Sequence, residues 1–286
     1  MGGTLLSIGH GYSARALARR LLPEGWTVTG TTRSEEKAAA LGKSGVRPLI
    51  WGKDDIAAAL AEATHLLSSV GPEDGRDPVL AAARGAIADA APHLRWAGYL
   101  STTGVYGDHG GGWVDEDTPL TPSTRRGRDR VAAEAEWLTL GAETGLPLHI
   151  FRLAGIYGPG RGPFEKVRSG TARRIVKPGQ VFSRIHVDDI ALALHASMER
   201  PDPGAVYNVC DDDPAPPEDV IAEAARLLGE PVPPAIPYDE ADLSPMARSF
   251  YAESKRVRND RMKRDLGIEL AYPDYRSGLK ALLAGL

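Results

Sequence analysis

An α/β fold built on a doubly wound parallel sheet is what the sequence predicts, and three observations predict it. Short apolar, β-rich runs alternate with amphipathic stretches through the first half of the 286 residues. The runs are apolar along their length, the pattern of strands covered on both faces. A glycine trio stands at the first junction between a run and a stretch. Strict alternation requires parallel pairing with right-handed crossovers, and such a sheet binds ligands beyond the carboxyl ends of its strands.

The first strand is read at 4–8, "TLLSI", and a helix at 13–22 from the recurrence of Ala and Leu at helical spacing. A β-branched run gives the second strand at 27–31, followed by a helix at 34–41. Strands at 46–51 and 65–70 flank a helix at 54–62, and a longer helix at 77–91 leads to the strand at 98–101. A helix at 126–144 and an apolar strand at 148–153 complete the alternation. After Gly155 proline and glycine punctuate the chain, as in "GIYGPGRGPF" and "DDDPAPPED". Residues 1–154 are therefore expected to form a dinucleotide-binding domain. Residues 155–286 should be mainly a smaller substrate-side region, with some elements returning to the sheet.

Charge and cysteine content narrow the function. Lys and Arg number 34 against 38 Asp and Glu, a formal net charge of -4, so no global field draws the chain to nucleic acid or to a membrane surface. The one cysteine, Cys210, excludes an internal disulfide, and no Cys/His spacing suggests a metal site, so a reduced, cytoplasmic setting is expected. No run of about 18 uncharged apolar residues and no basic n-region occurs, so neither a membrane span nor a signal peptide is expected. The opening "MGG" superficially suggests myristoylation, but the first strand begins at once.

In "LLSIGHGYSARALARRLL", Gly9 permits a tight turn, Gly11 lets a pyrophosphate approach the backbone, and small Ala14 allows close packing of helix on strand. His10, Tyr12 and Ser13 complete this loop, His10 as a spacer. Ser69 and Val70, closing the fourth strand, are assigned to the same cofactor site. An NAD-preferring site usually carries an acid about 20 residues onward for the ribose 2′-hydroxyl. Here stand Thr31, Thr32, Arg33 and Ser34. Arg33 with neighbouring hydroxyls suits a 2′-phosphate through charge-assisted hydrogen bonds, which favours NADP, with NAD as the alternative. The bland reading of Arg33 is a solvated arginine opening the next helix.

With these residues in view, the chain resembles the short-chain dehydrogenase/reductase superfamily, in its extended and atypical epimerase/dehydratase branches. Besides the glycine loop, the resemblance rests on "STTGVYG" after the fifth strand, "RLAGIYGPGR" at 152–161, "RIHVDDIALAL" at 184–194, "VYNVCDDDP" at 206–214, and the closing "SKRVRNDRMKRDLG". It implies a Rossmann fold binding NAD or NADP, with a small-molecule substrate held between that domain and the C-terminal region. It also implies that Thr102 hydrogen-bonds the substrate's reacting oxygen; otherwise Thr102 is a strand-end residue capping its own backbone. The acids of the dehydratases are replaced by Thr103 and Gly104, neither of which exchanges protons near neutral pH.

The family's YxxxK tyrosine and lysine fall on Arg126 and Arg130. A guanidinium keeps its charge at working pH, so Arg126 is no proton shuttle, while Arg130 could hold the ribose or a substrate phosphate. Both could equally be a solvated basic helix start. Gly155 stands where the sugar-nucleotide enzymes carry asparagine, and Arg184 matches a position that meets substrate phosphate. Tyr106 and Tyr157 are the candidate substitute proton donors, or else aromatic packing under loops. His186 is read as organising the loop before its helix, and Asp211 to Asp213 as a solvated loop. The leading expectation is an NAD(P)-dependent oxidoreductase or epimerase, monomeric or homodimeric, acting on a small phosphorylated or nucleotide-linked substrate. A catalytically silent sensor of cofactor or metabolite is the alternative, and an RNA-associated scaffold lacks the basic stripe it would need.

Overall fold

The computed structural model describes residues 2–285. Strand β1 (Thr4–Ile8) leads through α1 (Tyr12–Leu21) to β2 (Thr27–Thr32), then α2 (Glu35–Lys43), β3 (Arg47–Ile50), α3 (Ile56–Glu62), β4 (His65–Ser68) and α4 (Pro78–Ala90). β5 (Trp96–Thr102), a 3₁₀ turn at Thr103–Tyr106, β6 (Trp113–Val114), α5 (Arg125–Thr144) and β7 (Leu148–Leu153) follow. The rest comprises β8 (Gly155–Tyr157), α6 (Phe164–Arg168), β9 (Arg174–Val176), β10 (Arg184–His186), α7 (Val187–Glu199), β11 (Val206–Val209), α8 (Pro217–Leu228), β12 (Ala235–Pro237), α9 (Pro245–Tyr251), β13 (Arg256–Val257), α10 (Asp260–Leu266) and α11 (Tyr275–Ala284).

Seven strands form one parallel sheet in the order β11-β7-β5-β4-β1-β2-β3. Chain order reverses between β1 and β4, which opens a crevice beyond the carboxyl ends of those two strands. Strand residues alternate between the two covered faces. Leu5, Leu67, Leu100 and Phe151 pack with α1, α7 and α10, while Leu6, Leu66, Tyr99 and Ile150 pack with α4 and α5. Each large side chain so buried contributes about 1.5–3 kcal/mol.

β3 departs from the expected strand covered on both faces. Arg47 and Pro48 are exposed, and as the edge strand β3 tolerates a proline that an interior ladder would reject. Helix α3 starts at Ile56 rather than at 54, because Asp55 caps it by accepting from the Ala58 N–H at 3.1 Å. β5 starts at Trp96 rather than at 98, carried by the fully buried indole, whose Nε1–H donates to Ser197 Oγ at 3.0 Å.

Beyond Gly155 the chain does two things. β11 and α7 return to the main sheet and its covering layer, while the paired ribbons β8·β10 and β9·β12 stand apart from it, as does β13, which pairs with β6 of the first half. Phe164, Val167, Ala224, Tyr275 and Leu279 form a separate small core there. The crevice lies between this region and the strand ends.

Candidate functional site

A cleft of about 880 Å³ runs from the glycine loop across the ends of β4, β5 and β7 to α9 and α11. At its β1 end the backbone sets the shape. Gly9 has φ +77°, and a Cβ there would stand 2.6 Å from Val70 Cγ2. Its N–H donates to Thr31 Oγ1 at 2.8 Å, and Ser69 Oγ donates to its carbonyl at 2.5 Å. At Gly11 a Cβ would meet nothing nearer than the Gly9 carbonyl at 3.6 Å, so the missing side chain leaves space belonging to the cleft. Gly11 caps α1 without a side-chain acceptor, and the first turn holds no acid. The helix therefore presents free N–H groups and a positive end to that space. This is a cradle that fits a pyrophosphate.

The other loop residues divide between cleft and support. Ser13 lines the cleft, and Ala14, 1% exposed, packs in the core beneath it. Tyr12 walls the far side, with its hydroxyl donating to the Pro159 carbonyl at 3.0 Å and the Arg161 guanidinium 5.7 Å from its ring centroid. His10 is more than a spacer. Its ring packs against Gly30 on β2, where a Cβ would collide with it, and burial lowers its pKa to about 4. His10 and Val70 thus shape the loop from outside the cleft. At the end of β2, Ser34 caps α2 by accepting from the Lys37 N–H at 3.3 Å, and Thr32 Oγ1 accepts from the Ser34 N–H at 3.5 Å. The Arg33 side chain is 82% exposed and 3.8 Å from Glu73.

At the β5 end, side chains set the chemistry. Thr102 lines the cleft, and its Oγ1 accepts from the Gly104 N–H at 3.2 Å; Thr103 and Gly104 line it too. Arg126 and Arg130, one turn apart on α5, both line it. Arg130 is fixed, with Nη1 donating to the Leu100 carbonyl at 2.8 Å and to the Tyr99 hydroxyl at 3.0 Å. Arg126 is exposed and makes no hydrogen bond or ion pair among the described residues.

The two tyrosines lie differently. Tyr106 is fully buried and does not line the cleft. Its hydroxyl donates to Asn208 Oδ1 at 2.7 Å and accepts from Arg152 Nη1 at 2.9 Å, and burial pushes its pKa up to about 12. Tyr157 borders the cleft, but its hydroxyl is directed at the Asp274 carbonyl, 3.5 Å away, in space left by Gly278 of α11. Burial, reinforced by Asp211, raises its pKa as well.

Gly155 and Arg184 meet on the paired strands β8 and β10, and both line the cleft. Arg184 Nη1 donates to the carbonyls of Phe182 at 2.8 Å and Ala215 at 2.9 Å. The acidic run beside it is not a uniformly solvated loop. Asp211 is 1% exposed, and burial raises its pKa to about 8; Asp212 and Asp213 pair with Lys263 at 3.0 Å and Arg276 at 2.6 Å. His186 caps α7, accepting from the Asp188 N–H at 3.2 Å.

A buried network went unread in the sequence. Glu134 pairs with Arg152 at 2.8 Å, and Ser101, on the cleft floor, donates to Glu134 Oε1 at 2.5 Å. The signal was the spacing of Arg126, Arg130 and Glu134, successive i, i+4 positions on one face of α5. Phe250 of α9 and Lys255 also line the cleft without any local motif to announce them. Among the described residues no cluster suited to a metal ion occurs, and no helix is long and apolar enough to cross a membrane.

Comparison with known proteins places the chain. Protein YeeZ of Escherichia coli is 31% identical over 289 residues, covering 93% of this chain and 95% of its own, and the model of the NAD dependent epimerase/dehydratase family matches residues 79–210. The chain belongs to that family. A 3-diazoavenalumate denitrifying reductase of Streptomyces is 28% identical over 97% of this chain and 93% of its own. Among solved structures, a functionally unknown conserved protein from Silicibacter pomeroyi matches with TM-score 0.93 and 61% identity over 99% of both chains. UDP-glucuronic acid 4-epimerase from Bacillus cereus, solved with NAD, matches with TM-score 0.78 at 17% identity over 97% of this chain and 96% of its own. The shared fold is the Rossmann NAD(P)-binding fold.

Proposed function

We propose that this chain is an NADP(H)-dependent oxidoreductase that reduces a small organic substrate without taking the substrate's proton from a side chain of the cleft. The face of α5 carries this reading: Arg126 and Arg130 border the cleft, while the Tyr106 hydroxyl is sealed in the sheet and the Tyr157 hydroxyl is turned to α11. The reductase among the relatives supports the reaction class. A bound dinucleotide would supply the hydride. Gly11, Ser13 and the start of α1 would hold its pyrophosphate, Arg33 with Thr32 and Ser34 its 2′-phosphate, and Arg130 its nicotinamide ribose.

The side chains at the reacting end have separable tasks. Because Thr102 Oγ1 already accepts the Gly104 N–H, its own hydrogen is the one left to orient a substrate oxygen. Arg126 offers a fixed positive charge to an anionic group of the substrate, and the balancing proton comes from water. The test uses NADPH carrying deuterium at C4, incubated with a panel of aldehydes and ketones. Deuterium in a product is expected, and Thr102→Val should lower kcat by about 10²-fold at unchanged NADPH affinity. Tight NADPH binding with no label transferred to any panel member overturns the reading. It would favour a sensor of the cofactor, which the same absence of an available phenol supports.

A further inference from the structure

The polar groups of the cleft differ in one respect: whether the protein already satisfies them. Arg130 and Arg184 donate to carbonyl oxygens, Lys255 donates to the Gly107 carbonyl and to Glu253, and Arg161 lies over the Tyr12 ring. Asp129, the acid one turn below the start of α5, lies 3.8 Å from Arg125. Arg126 alone among these cleft cations has neither an acceptor nor an aromatic ring among the described residues. It is also held close to the reacting end. The next residue, Gly127, lies against the Gly104 carbonyl so tightly that a Cβ would stand 2.9 Å from it, which seats the start of α5 on the turn following Thr102.

Part of the lining is apolar. Phe250, 57% exposed, is the most exposed large hydrophobic side chain among the described residues and lines the cleft. Its helix is anchored by the neighbouring Tyr251, which packs edge-on against Phe182 at 5.7 Å and against Tyr238 at 5.4 Å. That leaves the Phe250 ring free while its backbone is held. Ile156, Val181, Phe182 and Leu279 continue the apolar lining. A single unpaired guanidinium in a cleft with an apolar lining matches a ligand with one planar anion on an apolar, flat body.

We infer that the substrate of the proposed reductase is an aromatic carboxylic acid that carries a separate carbonyl to accept the hydride, its carboxylate bound by Arg126 and its ring covered by Phe250. This rests on the oxidoreductase reading of the same cleft, and the two are tested by different titrations. Binding of NADPH to the protein alone tests the cofactor half of that reading. Calorimetry on the protein saturated with NADP+, using 2-naphthoate and its neutral isostere 2-naphthamide, tests the inference. Naphthoate should bind at least about tenfold more tightly than naphthamide. Arg126→Gln should remove that preference, leaving the affinities for naphthamide and NADP+ unchanged. Phe250→Ala should weaken both naphthalenes alike, several-fold, because it removes the ring contact and no charge. Equal affinities of the two in the wild-type protein, absence of naphthoate binding, or a naphthoate affinity untouched by Arg126→Gln each overturns the assignment. So does tighter binding of uridine diphosphate that is lost in Arg126→Gln, which would make Arg126 a phosphate ligand.

Discussion

The β1 end and the β5 end of the cleft are built by different means. Around Gly9 and Gly11 the groups presented to the cleft are backbone N–H groups at a helix start, and the side chains matter by their smallness. Around Thr102 the groups presented to it are a hydroxyl and two guanidinium groups on a helix face. A backbone-built site constrains residue identity severely, since any Cβ at 11 would project into the cleft. Side-chain recognition constrains only the position from which a group is presented. A helix face such as that of Arg126 and Arg130 can therefore keep the cleft while its side chains change the chemistry.

The largest effect is expected from the backbone end. Gly11 has φ −93° and ψ −151°, a conformation open to any residue, and a side chain there would point into the cleft rather than into protein. Gly11→Val should abolish NADPH binding in a titration while leaving the melting temperature close to that of the wild type. Retained binding would place the cofactor elsewhere. Next comes Arg33→Ala. Losing a bidentate arginine–phosphate contact should weaken NADPH by about ten- to a hundredfold, roughly 1.5–3 kcal/mol, with NADH affinity unchanged. Because the Arg33 side chain is 82% exposed, the fold should not notice. Equal losses for both cofactors would assign the arginine a role other than reading the 2′-phosphate.

What the sequence revealed follows the same division. The glycine loop, the β/α alternation and the α5 face are local patterns, and each can be read within one or two turns of chain. Asp211 looked solvated because three acids in a row normally are, yet its burial comes from the elements that close over the end of β11. Tyr106 looked available because its motif ends a strand at the ligand edge. Its direction is set by Arg152 on β7 and Asn208 on β11, partners 46 and 102 residues away. Phe250 lies on a short helix and reaches the cleft only through the path of the whole C-terminal region.

A smaller effect tests the support beneath the backbone end. The His10 ring is 8% exposed, and burial brings its folded pKa to about 4 against an ordinary 6.5. Above pH 6.5 both folded and unfolded forms are neutral. As pH falls from there toward about 4, the unfolded chain takes up the proton first, so stability is lost across that window. Between pH 6.5 and 5 the loss attributable to this ring should be about 1.5 kcal/mol. In His10→Leu the decline over that interval should be correspondingly shallower, measured by urea unfolding at each pH. His65, also lowered to about 4 by burial, supplies a residual decline in both proteins. An unchanged slope would mean that the ring is solvated in the working protein.

The smallest expected effect addresses the β5 end, where the comparison is sharpest. Tyr106→Phe and Tyr157→Phe should each leave turnover with a reducible substrate within about twofold of wild type, because neither phenol faces the reacting space as a donor. Tyr106→Phe removes an acceptor from Arg152 and a donor to Asn208, both inside the protein. Its cost should therefore appear as stability, about 1–3 kcal/mol for the buried groups left unpaired. Tyr157→Phe removes a single 3.5 Å contact to a carbonyl and should cost less than Tyr106→Phe. Turnover falling by two orders of magnitude in either variant, at unchanged cofactor affinity, would show that the phenol rotates into the cleft during the reaction. The β5 end would then keep a tyrosine acid, and the guanidinium groups of α5 would serve only to position ligands.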